Sequence, residues 1–240
     1  MLLLLFFMIV LAVLFFQSPL SKIERIEIAG HRYTTAEEIG QAIGVSVGDS
    51  FFAATESAME RRAAALPYIR GAEVDKRFPG TVEVSVAEYG EVAYIVGRDG
   101  VLKALLENNE EVLPLPGEPL PPLPVLVNWE GHEELRGRLA RQLAAIPGLL
   151  LADISEINPD PSVSYPDRIR IYTRSRFSVT TTVSYLPAKI ETMRTIIGSK
   201  PPGYLTLLEA DTYRPYDAGT EAEEGESPQE EAKAEGGARS

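Results

Sequence analysis

Pro67-Tyr68-Ile69-Arg70-Gly71-Ala72-Glu73-Val74-Asp75-Lys76-Arg77-Phe78-Pro79-Gly80-Thr81-Val82-Glu83-Val84-Ser85-Val86-Ala87-Glu88 is a pair of alternating runs hinged on Pro79-Gly80. Ala72, Val74 and Phe78 share one face of the first run, and Val82, Val84 and Val86 share one face of the second. Polar residues mostly fill the positions between them, the two-residue period of a half-buried strand. Proline brings a fixed φ and glycine a positive one, which together suit a tight turn. The stretch predicts a β-hairpin.

Upstream, residues 23–29 place Ile26 and Ile28 on one side among Glu24, Arg25 and Glu27, and Gly30 ends the run. Thr35-Ala36-Glu37-Glu38 sets a hydroxyl three residues ahead of a carboxylate, so each side chain can satisfy the other's orphan N–H at a helix start. Ile39, Ala42 and Ile43 form the buried stripe of that helix and Gly44 stops it. Thr55 caps a second helix with Met59, Ala63 and Leu66 at helical spacing, and Pro67 forces its end. The order is β-α-α-β-β, two helices over a three-stranded sheet, which resembles the small module called POTRA.

Further upstream the first twenty-one residues hold no charged side chain, and residues 1–16 are entirely Leu, Phe, Val, Ile, Met and Ala. At ~1.5 Å per residue, about twenty helical residues cross a hydrocarbon core of roughly 30 Å. Residues 1–20, with Leu2, Phe6, Val10 and Leu14 along them, are therefore read as a transmembrane anchor ended by Pro19. A cleaved signal peptide would want a basic start and a small-x-small site near Phe15-Phe16-Gln17-Ser18, and the stretch has neither. The nearest basic residues, Lys22 and Arg25, follow the span, so an orientation with the rest of the chain outside the cytoplasm calls for a basic segment upstream of Met1.

A formal charge of −12 argues against nucleic-acid binding, which wants a basic face. Half of that charge lies in residues 217–240, where eight acids stand against two bases, a net of −6. Their Gly, Ser, Ala and Glu content supports no core and predicts a disordered acidic tail. Cysteine is absent, which fits a protein that does not depend on redox state on either side of the membrane and discriminates little.

Residues 90–216 carry a second set of strand signals. Residues 91–96 and 101–105 flank Gly97-Arg98-Asp99-Gly100, a hairpin turn. Residues 113–124 contain six prolines, a density that forbids helix and central strand and favours an extended loop laid over the domain. A helix from about His132 places Leu135, Leu139, Leu143 and Ile146 on one face before Pro147-Gly148. Residues 154–157, 168–173 and 176–183 read as an antiparallel meander. Pro187 opens another helix, with Ile190, Met193 and Ile197 on one face, and residues 203–209 form the last strand. That strand is apolar on both faces, Leu205 and Leu207 on one, Tyr204 and Leu208 on the other. Two readings fit it, a sheet edge open to a partner's strand and a strand buried inside the domain's own sheet, and the family resemblance described below favours the edge. The fold class is α+β: anchor 1–20, POTRA module 21–89, mostly antiparallel β domain 90–216 with two or more helices, and tail 217–240.

The anchor running into Ser18-Pro19-Leu20-Ser21-Lys22-Ile23-Glu24-Arg25-Ile26-Glu27-Ile28-Ala29-Gly30, the hairpin, and the ending Gly203-Tyr204-Leu205-Thr206-Leu207 together resemble the bacterial cell-division proteins called FtsQ or DivIB. The resemblance implies a single-pass protein of the cytoplasmic membrane at the division septum, with its C-terminal domains extracytoplasmic. It implies a scaffold linking small bitopic partners, FtsL and FtsB or DivIC, that regulate septal peptidoglycan synthesis. Carried over, the partner-binding positions are Tyr204, Leu205, Thr206, Leu207 and Glu209, with Met193 and Arg194 on the preceding helix. The POTRA module would offer further divisome partners a second surface, where Arg61 and Arg62 face solvent.

No catalytic residue, cofactor or metal site is expected. His31 and His132 lie about 100 residues apart without an acidic partner at motif spacing, and no G-x-S-x-G, P-loop or dinucleotide fingerprint is present. The alternative is a POTRA-containing envelope protein that handles polypeptides in export or assembly. That reading wants repeated modules and a β-barrel, and only one β-α-α-β-β order is visible.

Overall fold

The computed structural model describes residues 1–97 and 100–216. The acidic tail expected at 217–240, and Arg98 and Asp99 of the expected turn, lie outside the described residues.

Helix α1 (Leu2–Gln17) is exposed along its whole length. It has sixteen residues, ~24 Å at the usual rise, and among the described residues no helix is long and apolar enough to cross a membrane. The apolar run expected as one span to residue 20 stops at Gln17 because Ser18 turns extended and Pro19 opens a 3-10 turn, Pro19–Ser21. Ser21 is buried, and its hydroxyl donates to the carbonyls of Phe16 (2.8 Å) and Ser18 (2.9 Å), satisfying acceptors at the helix end.

Five elements follow: β1 (Arg25–Ala29), α2 (Ala36–Ile43), α3 (Glu56–Ala63), β2 (Ile69–Arg77) and β3 (Thr81–Glu88). They build a three-stranded sheet of order β1-β3-β2, β1 parallel and β2 antiparallel to the central β3. Val84 therefore stands between Ile28 and Val74, and Val82, Val84 and Val86 are buried under Ile39, Ile43, Met59 and Ala63 of the two helices. The capping box forms as expected. Thr35 accepts from the Glu38 amide, the Glu38 carboxylate accepts from the Thr35 amide, and Gly44 ends the helix at φ 71°. Thr55 caps α3. Gly30 lets the chain leave β1 close against β3, since a Cβ there would meet the Val86 carbonyl oxygen at 2.1 Å.

Phe78 departs from the expected face. Arg77 already pairs with Thr81, so Phe78, Pro79 and Gly80 make the turn and Phe78 points outward, 57% exposed. Arg61 and Arg62 are both exposed as expected, and the Arg62 guanidinium also donates to the Ile43 carbonyl (2.9 Å) at the end of α2.

The second sheet has nine strands: β4 (Glu91–Val96), β5 (Leu102–Leu106), β6 (Glu111–Val112), β7 (Val125–Leu126), β8 (Ile154–Pro159), β9 (Arg168–Thr173), β10 (Ser178–Thr182), β11 (Gly203–Leu207) and β12 (Asp211–Pro215). Their spatial order is β12-β11-β10-β9-β8-β7-β4-β5-β6. The expected meander is present in β8-β9-β10. The sheet as a whole is mixed, because β7 runs parallel to both β4 and β8, and β11 runs parallel to β10. The proline-rich loop returns the chain to start β7 alongside β4. Helix α6 (Leu186–Ser199) is the crossover that makes β10 and β11 parallel. With α4 (Glu133–Ala144) and α5 (Gly148–Leu151), α6 shares one core with the sheet, including Leu139, Leu143, Ile154, Ile157, Ile169, Phe177, Ile190 and Leu205.

The two sheets meet over a third apolar cluster. Tyr94, Ala104, Leu106 and Val112 are buried there, and Tyr33, Tyr68 and Tyr89 pack on them. The Glu88 carboxylate, at the end of β3, accepts from the backbone N–H groups of Tyr33 and Thr34, both at 2.8 Å. Burial opposes its ionisation, but the hydrogen bonds from Tyr33, Thr34 and Arg32 outweigh burial and hold its pKa below the ordinary carboxylate range. Arg32 spans the seam to Glu91 (2.8 Å) and to Glu118 (2.5 Å) of the proline-rich loop, and the Tyr33 hydroxyl donates to Glu91. Burial and that bond to Glu91 raise the Tyr33 phenol well above its usual range.

Candidate interaction site

Sequence reasoning placed the open edge of the large sheet on residues 203–209. The structure moves it by one strand. β11 is flanked on both sides, by β10 with Val179 opposite Leu205 and by β12 with Tyr213 opposite Leu205. β12 pairs with β11 alone and is the outer strand.

The surroundings of β11 explain why it sits inside. Leu205 and Leu207 point into the core, and the buried Thr181 hydroxyl donates to the Leu207 carbonyl (2.7 Å). A Cβ on Gly203 would meet the Arg214 carbonyl oxygen at 2.3 Å, so glycine is what lets β12 approach. β12 is fastened at its first residue and at its middle one. Lys189 of α6 pairs with Asp211 (2.7 Å), and the Tyr213 hydroxyl donates to the Pro201 carbonyl (2.7 Å).

Backbone alternation defines what the edge offers. The Tyr216 amide donates to the Pro202 carbonyl (3.2 Å), continuing the register in which Gly203 faces Pro215. In an antiparallel pair, positions that bond the partner alternate with positions whose N–H and C=O point away. Tyr204/Arg214 and Thr206/Thr212 thus bond across the pair. Asp211 and Tyr213 turn their amides outward, and Pro215, which has none, takes the third outward position. Two unpaired donors on an exposed strand make a template for one further strand.

An aromatic and cationic cluster lies beside this edge. The Tyr204 ring, 48% exposed, meets Tyr216 edge-on at 4.8 Å, and the Arg214 guanidinium sits 5.0 Å from the Tyr204 ring centroid. Burial, with Tyr204 alongside, raises the Tyr216 phenol above its ordinary value.

Of the residues expected to contact a partner, Tyr204, Glu209 and Arg194 are exposed, and Thr206 is half-buried. Leu205, Leu207 and Met193 are buried in the core and support the site from beneath. Leu2, Phe6, Val10 and Leu14 lie on the exposed helix α1, remote in sequence from this edge. The outer-strand residues Asp211, Thr212, Tyr213 and Arg214 are not among the positions expected from the sequence. The available signal was Thr212-Tyr213, two strand-favouring residues, with Pro215 tolerable only at an edge or strand end. Among the described residues, no group of three or more His, Cys, Asp or Glu side chains could hold a metal ion.

With a β-α-α-β-β module joined to a larger mixed sheet that ends on an open strand, the fold is that of a POTRA-bearing protein, and residues 21–89 match the model of the POTRA domain, FtsQ-type. The chain is 38% identical over 215 residues to the cell division protein DivIB of Paenibacillus polymyxa (strain E681), covering 90% of this chain and 84% of that relative. It is 30% identical to DivIB of Bacillus subtilis (strain 168) over 87% of this chain and 80% of the relative. A solved structure, the major extracytoplasmic domain of the trans isomer of DivIB from Geobacillus stearothermophilus, matches at 28% identity and a TM-score of 0.38. It covers 46% of this chain and 92% of that one. The chain belongs to the DivIB family of bacterial cell-division proteins.

Proposed function

We propose that this protein is a non-enzymatic, single-pass scaffold of the divisome, at the cytoplasmic membrane of the septum. In this reading it links FtsL-like and FtsB/DivIC-like bitopic partners so as to regulate septal peptidoglycan synthesis. It is organised as an anchor (1–20), a POTRA module (21–89), an extracytoplasmic β domain (90–216) and a tail (217–240). The exposed helix α1, apolar from Leu2 to Phe16, supports the anchor.

The observation that carries the scaffold reading is the outer strand β12, whose Asp211 and Tyr213 amides face away from the sheet beside an aromatic cluster. An FtsB/DivIC-like segment adds as a tenth strand there, with Tyr204, Arg214 and Tyr216 contacting its side chains. Met193, Leu205 and Leu207 act by holding β11 and α6 in place.

A pair of substitutions at one position tests this. Asp211→Ala removes the ion pair with Lys189 and keeps the amide, whereas Asp211→Pro also removes the outward donor at a strand-initial position that tolerates proline. Binding to the extracytoplasmic segment of the FtsB/DivIC-like partner is expected to survive Asp211→Ala and to weaken about tenfold in Asp211→Pro. Equal affinities for the two variants would remove strand addition from the account.

A further inference from the structure

Three loops converge on the foot of α1. The turn Pro19–Ser21 leads the chain out of the helix. The 45–54 segment is bound to it through Phe51 N–H to the Ser21 carbonyl (2.7 Å) and Ile23 N–H to the Asp49 carbonyl (2.8 Å). The tip of the β2-β3 hairpin is bound by Glu24 N–H to the Gly80 carbonyl (2.7 Å). The buried Ser21 hydroxyl closes on Phe16 and Ser18, so helix and module meet through a hydrogen-bonded turn.

These loops carry large apolar side chains that the small core does not use. Leu20 is 50% exposed, Val47 63%, Phe52 52% and Phe78 57%. Phe52 and Phe78 belong to a chain of aromatic contacts that begins on the helix and passes through the buried Phe51: Phe52 lies 6.3 Å from Phe15 and 5.8 Å from Phe16, Phe51 lies 5.5 Å from Phe52, and Phe78 lies 6.0 Å from Phe51. Lys76 sits over the Phe51 ring at 4.6 Å, with its ammonium donating to the carbonyls of Phe51 and Ala54, which fixes the loop that presents Phe52.

We propose that this foot is a lipid-contacting surface, with Val47, Phe52 and Phe78 seated in the interfacial layer of the bilayer that receives α1. The inference rests on the anchor reading of α1. The occupant follows from continuity: Phe15 and Phe16 are the last apolar residues of the helix, and Phe52 touches both rings. Whatever medium surrounds the last turn of α1 therefore also reaches Phe52. Aromatic side chains favour that interfacial depth, and the exposed Lys22 beside them can extend its ammonium to headgroups while its stem stays with the apolar patch. The POTRA module is then held against the membrane at a fixed angle by protein–protein and protein–lipid contacts together, which sets where the distant β12 edge is presented.

The chain has no cysteine, so single labels are site-specific. The full chain, reconstituted in phosphatidylglycerol/phosphatidylethanolamine vesicles, would carry an environment-sensitive fluorophore through Val47→Cys or Phe78→Cys. Leu14→Cys on the helix and Val163→Cys on a distant exposed loop serve as references. Labels at 47 and 78 are expected to shift to the blue and to be quenched by lipid-borne nitroxides several-fold more than the label at 163, approaching the label at 14. Labels at 47 and 78 that match 163 while 14 remains in lipid would overturn the foot and leave the anchor standing. If the label at 14 is also open to water, the anchor reading fails and the foot with it. A blue shift that is insensitive to lipid-borne quencher and grows with protein density in the bilayer would assign the patch to a second copy of the chain and overturn the lipid assignment.

Discussion

The last strand of the small sheet lies at its centre, whereas the last strand of the large sheet lies at its edge. β3 is bonded on both sides, by β1 in parallel and β2 in antiparallel, and its alternate valines are buried. β12 is bonded on one side and its side chains are mostly exposed. The strand that ends the small module has spent its backbone donors on its two neighbours. The strand that ends the large sheet keeps donors to share, and that difference points to the proposed interaction site better than apolar content does.

Two substitutions should separate the strands most sharply. Val84→Asp puts a carboxylate between Ile28 and Val74 in a closed core and is expected to cost several kcal/mol, enough to abolish cooperative unfolding of the small sheet in urea. Thr212→Asn on the exposed edge is expected to stay within about 0.5 kcal/mol of the parent. Similar losses at both positions would break the comparison.

Glu88 sharpens it, because this carboxylate ends the central strand of one sheet and lies at the seam with the other. Its folded pKa is depressed, so its contribution is present above the unfolded pKa of about 4.3 and is lost as pH falls through the lower folded value. Glu88→Gln is expected to lower stability by about 1–2 kcal/mol at neutral pH and to flatten the acid limb of a stability-against-pH curve. An unchanged acid limb would mean that other carboxylates dominate it.

A smaller effect is expected within the small module. Arg62→Ala removes the donor to the Ile43 carbonyl and should cost about 1 kcal/mol in denaturant melts, where Arg61→Ala, exposed on the same helix, should cost close to nothing.

How far these regions could be read beforehand follows the same contrast. The small sheet was legible almost element by element because its signals are local: Thr35 with Glu38, Gly44, Thr55, Pro67 and the Pro-Gly turn each act within a few residues. Only the side of Phe78 was misread, since alternation does not continue through a turn. In the large sheet helices α4 and α6 and the β8-β9-β10 meander were legible, but α5 was not, and the parallel pairings of β7 and β11 depend on crossovers that no local pattern encodes. The edge was misplaced for a related reason. Gly203–Leu207 has the apolar alternation of a strand, while Asp211–Pro215 is short, polar and proline-ended, features that keep an exposed edge from aggregating and also hide it from a hydrophobicity reading. Of the positions expected to contact a partner, Leu205 and Leu207 therefore lie in the core, one strand inside the rim that Asp211 and Tyr213 form.

The most direct test is residue-resolved amide hydrogen exchange across β12, with and without the extracytoplasmic segment of the FtsB/DivIC-like partner. In the free protein the Thr212 and Arg214 amides, bonded to β11, should exchange more slowly than those of Asp211 and Tyr213. On saturation with the partner, Asp211 and Tyr213 should gain at least about tenfold protection, as expected for new backbone hydrogen bonds worth ~1 kcal/mol or more each. Unchanged exchange at Tyr213 in a saturated complex would contradict strand addition at this edge.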